Sequence, residues 1–311
     1  METIKFSILD VLFTILVASD AVEAIEALDA GFCPVECAFG EVSVVDELML
    51  DHHGDLSHLP PACRQGEKAA GARRDDARFV VTGAADADAV MAICMVAGLL
   101  DPALIQPILS TIAARDVSPH VDMAAACRKD KQVTALLWWQ QQRWGGCWES
   151  AIRGMVTAVT TVLADEDAYQ DVLVREEARR ALAEKVMAEG MEVGEVLVVS
   201  VPAELGFGFD VWYQEYPFVV AHLEKWGSIT VGATSEVAAQ RYGANGLLDF
   251  FNDQEGAWGG RSTVGGSPRG QQMSFAEAIA VAADLDEGVR PCQCGSMASW
   301  HSCASNQPTC G

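Results

Sequence analysis

A strand that breaks sharply into an apolar helix constrains this chain more than any other feature. Arg78-Phe79-Val80-Val81-Thr82 reads as a strand, Gly83 breaks it, and Ala87 to Leu100 reads as an apolar helix. Strand, acid-bearing loop and helix open a βαβ unit, so the pattern predicts an α/β fold with a parallel sheet in its N-terminal part. Val42 to Leu50 is predicted as a second strand. Each strand runs into polar residues, Asp86-Ala87-Asp88 after the first and Asp51-His52-His53 after the second. Open α/β sheets hold their ligands just past the carboxyl ends of strands.

The remaining organisation follows from periodicity and punctuation. Gln65 to Asp76 is basic and polar and reads as an exposed loop. Residues 130 to 190 look helical, with Asp165 as an N-cap and Gly190 as a stop, and Glu176 to Glu189 reads as an amphipathic connector. Trp138, Trp139, Trp144 and Trp148 are expected to fill a domain interface, the alternative being a base-stacking platform. Val196 to Val201, Phe218 to Leu223 and Ser228 to Ala233 are predicted strands, the last two joined through Lys225-Trp226-Gly227. A glycine-rich stretch, Gly256 to Gly270, precedes a helix from Ser274 to Leu285, whose Ser274 and Glu277 have capping-box spacing. The expected division is 1–130, 131–190 as a helical connector, 191–288, and a cysteine-rich tail, 289–311.

Bulk properties narrow the function. With 44 acidic against 21 basic residues and a formal net charge of -23, a broad electrostatic footprint for nucleic acid is disfavoured, though not a small basic pocket. The apolar run Val11 to Val17 is far too short to span a membrane, and Met1-Glu2 has no basic stretch ahead of an apolar one, so a cytoplasmic chain with no membrane partner is expected. Cys33, Cys37, Cys63, Cys94, Cys127 and Cys147 are scattered and read as core thiols. No phosphate-binding Gly-x-x-x-x-Gly-Lys loop and no Gly-x-Ser-x-Gly elbow occurs.

The two polar clusters carry the chemistry. Carboxylates and imidazoles hold hard or borderline divalent ions such as Mn²⁺, and a pair of such ions clamps the attacking and leaving oxygens of a phosphoryl group. Asp86 and Asp88 read equally as a helix N-cap with a first-turn acid. The Asp51 triplet reads alternatively as an exposed polar turn before Gly54-Asp55, with His58 close by.

Together the clusters resemble the DHH phosphoesterase superfamily, named for the triplet. The resemblance implies a two-domain DHH-type α/β fold, with a parallel-sheet N-terminal domain and a smaller mixed-sheet C-terminal domain. It implies a two-metal hydrolase of phosphoester or phosphoanhydride bonds, with Mn²⁺ (or Mg²⁺ or Co²⁺) on Asp51, His52, Asp86, Asp88 and Asp116. His53 and Asp88 are the implied catalytic groups. Asp20, His120 and Asp122 are weaker ligand candidates. Gly259, Gly260, Arg261 and Arg269 resemble the family's glycine-rich substrate loop, where guanidinium groups match phosphate oxygens; the alternative is a surface loop with incidental arginines. Two departures stand out. The Asp-x-Asp motif here follows the triplet instead of preceding it, and Thr82 occupies the position, four residues before Asp86, where many members carry histidine.

The tail, Cys292-Gln293-Cys294-Gly295-Ser296 through Trp300 to Cys303 and Cys310, resembles the SEC-C zinc motif and implies a structural Zn²⁺ on Cys292, Cys294, Cys303 and Cys310, with His301 as the alternative fourth ligand. The expected partners are a small phosphorylated substrate, with room for a short single strand of nucleic acid and for a second copy of the chain as a homodimer. The rival reading is a nucleotide- or metal-binding regulator of the same fold with reduced catalysis, and a third is an interaction protein acting through the zinc tail.

Overall fold

Strand pairing in the N-terminal half follows from where the apolar residues fall. The strands are β1 (Glu2–Ile8), β2 (Val11–Val17), β3 (Cys33–Val35), β4 (Ala38–Phe39), β5 (Val42–Ser43) and β6 (Ala77–Val81). Leu9 and Asp10 both take positive φ, the turn geometry that suits the right-handed twist of a hairpin, and β1 pairs antiparallel with β2. β2 and β3 then flank β6, both parallel to it, giving the order β1-β2-β6-β3. The sheet is therefore mixed, not wholly parallel as expected. The computed structural model describes residues 2–39, 42–53, 56, 58–83, 85–117, 126, 130–142, 147–165, 168–256, 258–268 and 270–290.

The described residues up to Val174 form one compact unit and those from Arg175 form another. In the first, helices α1 (Ala21–Asp29), α2 (Ala62–Lys68), α3 (Ala87–Val96), α4 (Gln106–Val117), α5 (Lys131–Gln142) and α6 (Trp148–Ala164) accompany the sheet. α3 is buried at every position from Asp88 to Val96, which is why its sequence is apolar on all sides and not in a stripe. Phe6, Phe13 and Phe79 stack in sequence, with centroids 5.1 and 6.3 Å apart, and tie the hairpin to β6.

Several sequence expectations are corrected here. Val42 to Leu50 is not a strand: only Val42–Ser43 pairs, with β4, and Met49 sits at φ 54° just before the triplet. The basic stretch from Gln65 is not a loop throughout, since α2 runs to Lys68 before a series of turns. Asp165 is the C-cap of α6, not an N-cap. Trp139 and Trp148 are buried in the first unit's own core, and the Trp139 indole donates to the Ala151 carbonyl at 2.8 Å. Of the scattered cysteines, Cys33, Cys37, Cys63 and Cys94 are buried as expected but Cys147 is exposed, and Cys127 lies outside the described residues.

α7 (Gln170–Ala188) enters the second unit at Arg175, and Gly190 comes just past its end as expected. Strands β7 (Met191–Val193), β8 (Val196–Val201), β9 (Phe218–Leu223), β10 (Ser228–Ala233), β11 (Gly259–Gly260) and β12 (Val264–Gly266) form a mixed sheet, with only β8 and β9 parallel. Both faces are covered. Val198 and Val220 pack with α9 (Glu236–Ala239), α10 (Leu247–Asp253) and α11 (Phe275–Gly288), while Leu197, Val199 and Val219 pack with α7 and α8 (Phe209–Trp212). Ser274 and Glu277 form the expected capping box at α11. Among the described residues no helix is long and apolar enough to cross a membrane.

Phe79 is fully buried between Phe13 and the helices. Phe79→Ala is expected to lower unfolding free energy by about 3–5 kcal/mol, measured as a fall in urea midpoint at unchanged slope.

Candidate metal centre

The pairing of β3 with β6 sets Val35 beside Val81. The residues that follow, Glu36 and Thr82, leave the carboxyl ends of neighbouring parallel strands, and the Thr82 hydroxyl donates to the Glu36 carbonyl at 2.8 Å. Glu36 takes φ 50°, a left-handed backbone unusual for a side chain of this size. Its N–H donates to the Leu50 carbonyl at 2.9 Å, which draws the Asp51 triplet in beside it. On the other side Gly83, at φ 59°, ends β6, and Asp86 caps α3 by accepting from the Ala89 N–H at 2.9 Å. Asp88 lies one residue further, in the first turn, and is buried.

These constraints bring three carboxylates onto one imidazole nitrogen. His52 Nε2 lies 2.8 Å from Asp116 Oδ2, 3.5 Å from Glu36 Oε1 and 3.7 Å from Asp88 Oδ2. An imidazole nitrogen carries one proton or one lone pair, so it can satisfy only one carboxylate at a time. Two groups of three result, each with ligand atoms within 4.8 Å of one another: Glu36 with His52 and His53, and His52 with Asp88 and Asp116. Asp51 stands in neither. Its Oδ1 accepts from the His53 backbone N–H at 3.0 Å and meets the ring Nδ1 at 2.8 Å, which places a proton on Nδ1 and leaves Nε2 as the other functional nitrogen. Asp51 thus fixes the ring of its neighbour, an arrangement common behind metal-binding histidines.

The electrostatics are those of a site short of positive charge. Burial, then the charges of Asp86, Asp88 and Asp116, push the Glu36 carboxyl well above its ordinary value. Burial and Asp116 likewise push Asp88 up, against hydrogen bonds from Cys63 that favour its charged form. Glu36 Oε1 and Asp51 Oδ2 are buried and accept no hydrogen bond among the described residues. Buried oxygens without a donor, in a cluster of carboxylates and imidazoles, fit a divalent cation.

Sequence reasoning named five residues as ligands and one, Glu36, escaped it. Of the five, His52, Asp88 and Asp116 meet, Asp51 turns to His53, and Asp86 serves as N-cap while its carboxyl hydrogen-bonds with Glu36. The available signal for Glu36 was an acid directly after the apolar Cys33-Pro34-Val35, the same strand-then-acid pattern that singled out Asp86. Asp20 is the N-cap of α1, and His58 is exposed in a turn. His120 and Asp122 lie outside the described residues. In the second unit Gly259 and Gly260 pair with Gly266 and Gly265, so the glycine-rich stretch is partly an edge hairpin, with Arg261 exposed at its turn. Arg269 and the tail cysteines Cys292, Cys294, Cys303 and Cys310 lie outside the described residues.

No family model matches this chain, and no curated protein matches it. A solved structure, an exopolyphosphatase-related protein from Bacteroides fragilis, is similar with a TM-score of 0.30 and 12% identity over 88% of this chain and 90% of that one. A likeness of this size leaves the site to be read from its own residues.

A carboxyl that holds its proton more tightly in the fold than in the unfolded chain loses stability as pH rises from its ordinary value, 4.5 for Glu36, through the raised folded one. In chelator, Glu36→Gln is therefore expected to match the wild type in Tm near the lower end of that window and to exceed it at pH about 7.5. With Mn²⁺ added at the higher pH the order should invert, because binding needs the deprotonated carboxylate. Scanning fluorimetry of both proteins at the two pH values checks the sign.

Proposed function

We propose that this protein is a metal-dependent hydrolase of phosphoester or phosphoanhydride bonds, of the DHH phosphoesterase kind, acting on a small nucleotide, short oligonucleotide or pyrophosphate-like substrate. The observation that carries the reading is the crowding of Glu36, Asp88 and Asp116 around His52 Nε2. His52, Asp88 and Asp116 would hold one ion of the Mn²⁺, Mg²⁺ or Co²⁺ class. Because the imidazole nitrogen has a single lone pair, a second ion would draw on Glu36 and Asp86. When bound, such ions supply Lewis acidity toward a phosphoryl oxygen and lower the pKa of water.

The chain's own residues do the rest. Asp51 holds the His53 ring through Nδ1, so His53 Nε2 would be the group to pass a proton to the leaving oxygen. Arg261 and Arg269, with Gly259 and Gly260, would be the substrate-binding residues, their guanidinium groups neutralising charge that develops on the phosphoryl group. The strong negative charge of the chain favours small substrates over long nucleic acid. Cys292, Cys294, Cys303 and Cys310 would hold a structural Zn²⁺.

Thr82 supports a second reading, a regulator that binds without turnover. Its hydroxyl is committed to the Glu36 carbonyl, so the position where the family carries histidine serves to hold the backbone.

The test is a Mn²⁺-supplemented screen of pyrophosphate, short-chain polyphosphate, cyclic dinucleotides, dinucleotides and short single strands. Turnover of at least one is expected, falling more than about 100-fold in His52→Ala, Asp88→Ala and Glu36→Gln, beyond what loss of an outer-shell contact produces. Binding across the panel with no turnover would select the regulator.

A further inference from the structure

Asp88 is held by a second helix, and the hold depends on a glycine away from the cluster. Its Oδ2 accepts from the Ala62 N–H at 2.6 Å and its Oδ1 from the Cys63 N–H at 3.0 Å. Those are the first two residues of α2, whose preceding residue, Pro61, contributes no side-chain cap. The carboxylate of α3 thus stands in for the cap of α2, and both of its oxygens are held, with Oδ2 lying 3.7 Å from His52 Nε2. Gly66, in the body of α2, lies against α3: a Cβ there would come within 2.9 Å of the Ala92 Cα and 3.2 Å of the Ala92 carbonyl oxygen. Backbone cannot yield as a flexible side chain can, so anything larger than glycine at 66 forces the two helices apart.

We infer that the first turn of α2 is the positioning element of the metal centre, that it sets the affinity of the His52–Asp88–Asp116 group by orienting Asp88, and that Gly66 fixes its reach. Ala62, Cys63 and Gly66 are positioning residues, since they act on the group through Asp88. The inference rests on the metal-centre reading above. Two N–H donors on a ligand carboxylate restrain its rotation, so less freedom is lost when the ion binds, and they hold the lone pairs in place. Outer-shell partners of this kind are worth about 10–100-fold in metal affinity.

Ala62→Pro deletes one donor at a helix position where the N–H has no intrahelical partner and proline is tolerated. Gly66→Ala leaves both donors in place and moves them. Each is expected to weaken Mn²⁺ binding about 10–100-fold with an unchanged circular dichroism spectrum, read by equilibrium titration against a chelating dye. Ser274→Ala, which removes the cap of α11 in the second unit, controls for loss of stability alone and should bind as the wild type does. In wild-type protein the Ala62 and Cys63 amide resonances are expected to shift on titration with Mg²⁺, a readout that needs no variant to fold. Folded variants with wild-type affinity, equal loss in Ser274→Ala, or unmoved amide resonances would each overturn the inference. A wild type that binds no Mn²⁺ overturns the metal-centre reading, whereas tight wild-type binding that both variants retain overturns the inference alone.

Discussion

The pairing of β3 with β6 is the constraint on which the rest of the first unit depends. β3 has only three residues, yet its register against β6 decides that Glu36 and Thr82 emerge side by side. A slip of one residue would turn Val35 and Val81 to opposite faces and carry the Glu36 carboxylate away from Asp88. The short strand is held by burial: Cys33, Pro34 and Val35 are all buried, and Cys37 just beyond directs its thiol at the Val80 carbonyl, 3.1 Å away. Apolar packing at the strand ends thus sets polar geometry a few ångströms further on.

The cluster costs stability as well as conferring chemistry. Like charges that share a buried volume cannot all ionise, and here burial and mutual repulsion raise the proton affinity of Glu36 and Asp88. Backbone donors from α2 offset part of that for Asp88, and the Asp51–His53 contact does so for one oxygen of Asp51. A divalent cation relieves more of the repulsion than any side chain could, because it meets several carboxylates at once.

Much of this was legible in the sequence and some of it was not. Phe218 to Leu223 and Ser228 to Ala233 appear at their expected bounds because each is a short apolar run closed by turn residues. Asp86 and Asp88 combine both of their alternatives: one caps α3 and the other sits in its first turn yet faces the cluster, since α3 is buried all round. Asp116, singled out only as an acid following the apolar run from Ile108, lies 2.8 Å from His52. Val42 to Leu50 misled because its apolar residues serve loop contacts: Val44 joins the small core under α1 and Leu50 the main one. Glu36 was missed because an acid after so short an apolar run as Cys33-Pro34-Val35 is a weak local signal, and the contact that sets its place reaches Thr82, 46 residues away in sequence.

The left-handed backbone at Glu36 has one more consequence. A non-glycine residue at φ 50° sits on the order of 1 kcal/mol above glycine in the same conformation. Glycine at position 36 would remove that strain and a repelled buried carboxylate together. A population selected for heat resistance alone, without metal, would drift toward that replacement and lose the centre. Position 36 is therefore where robustness and chemistry pull in opposite directions.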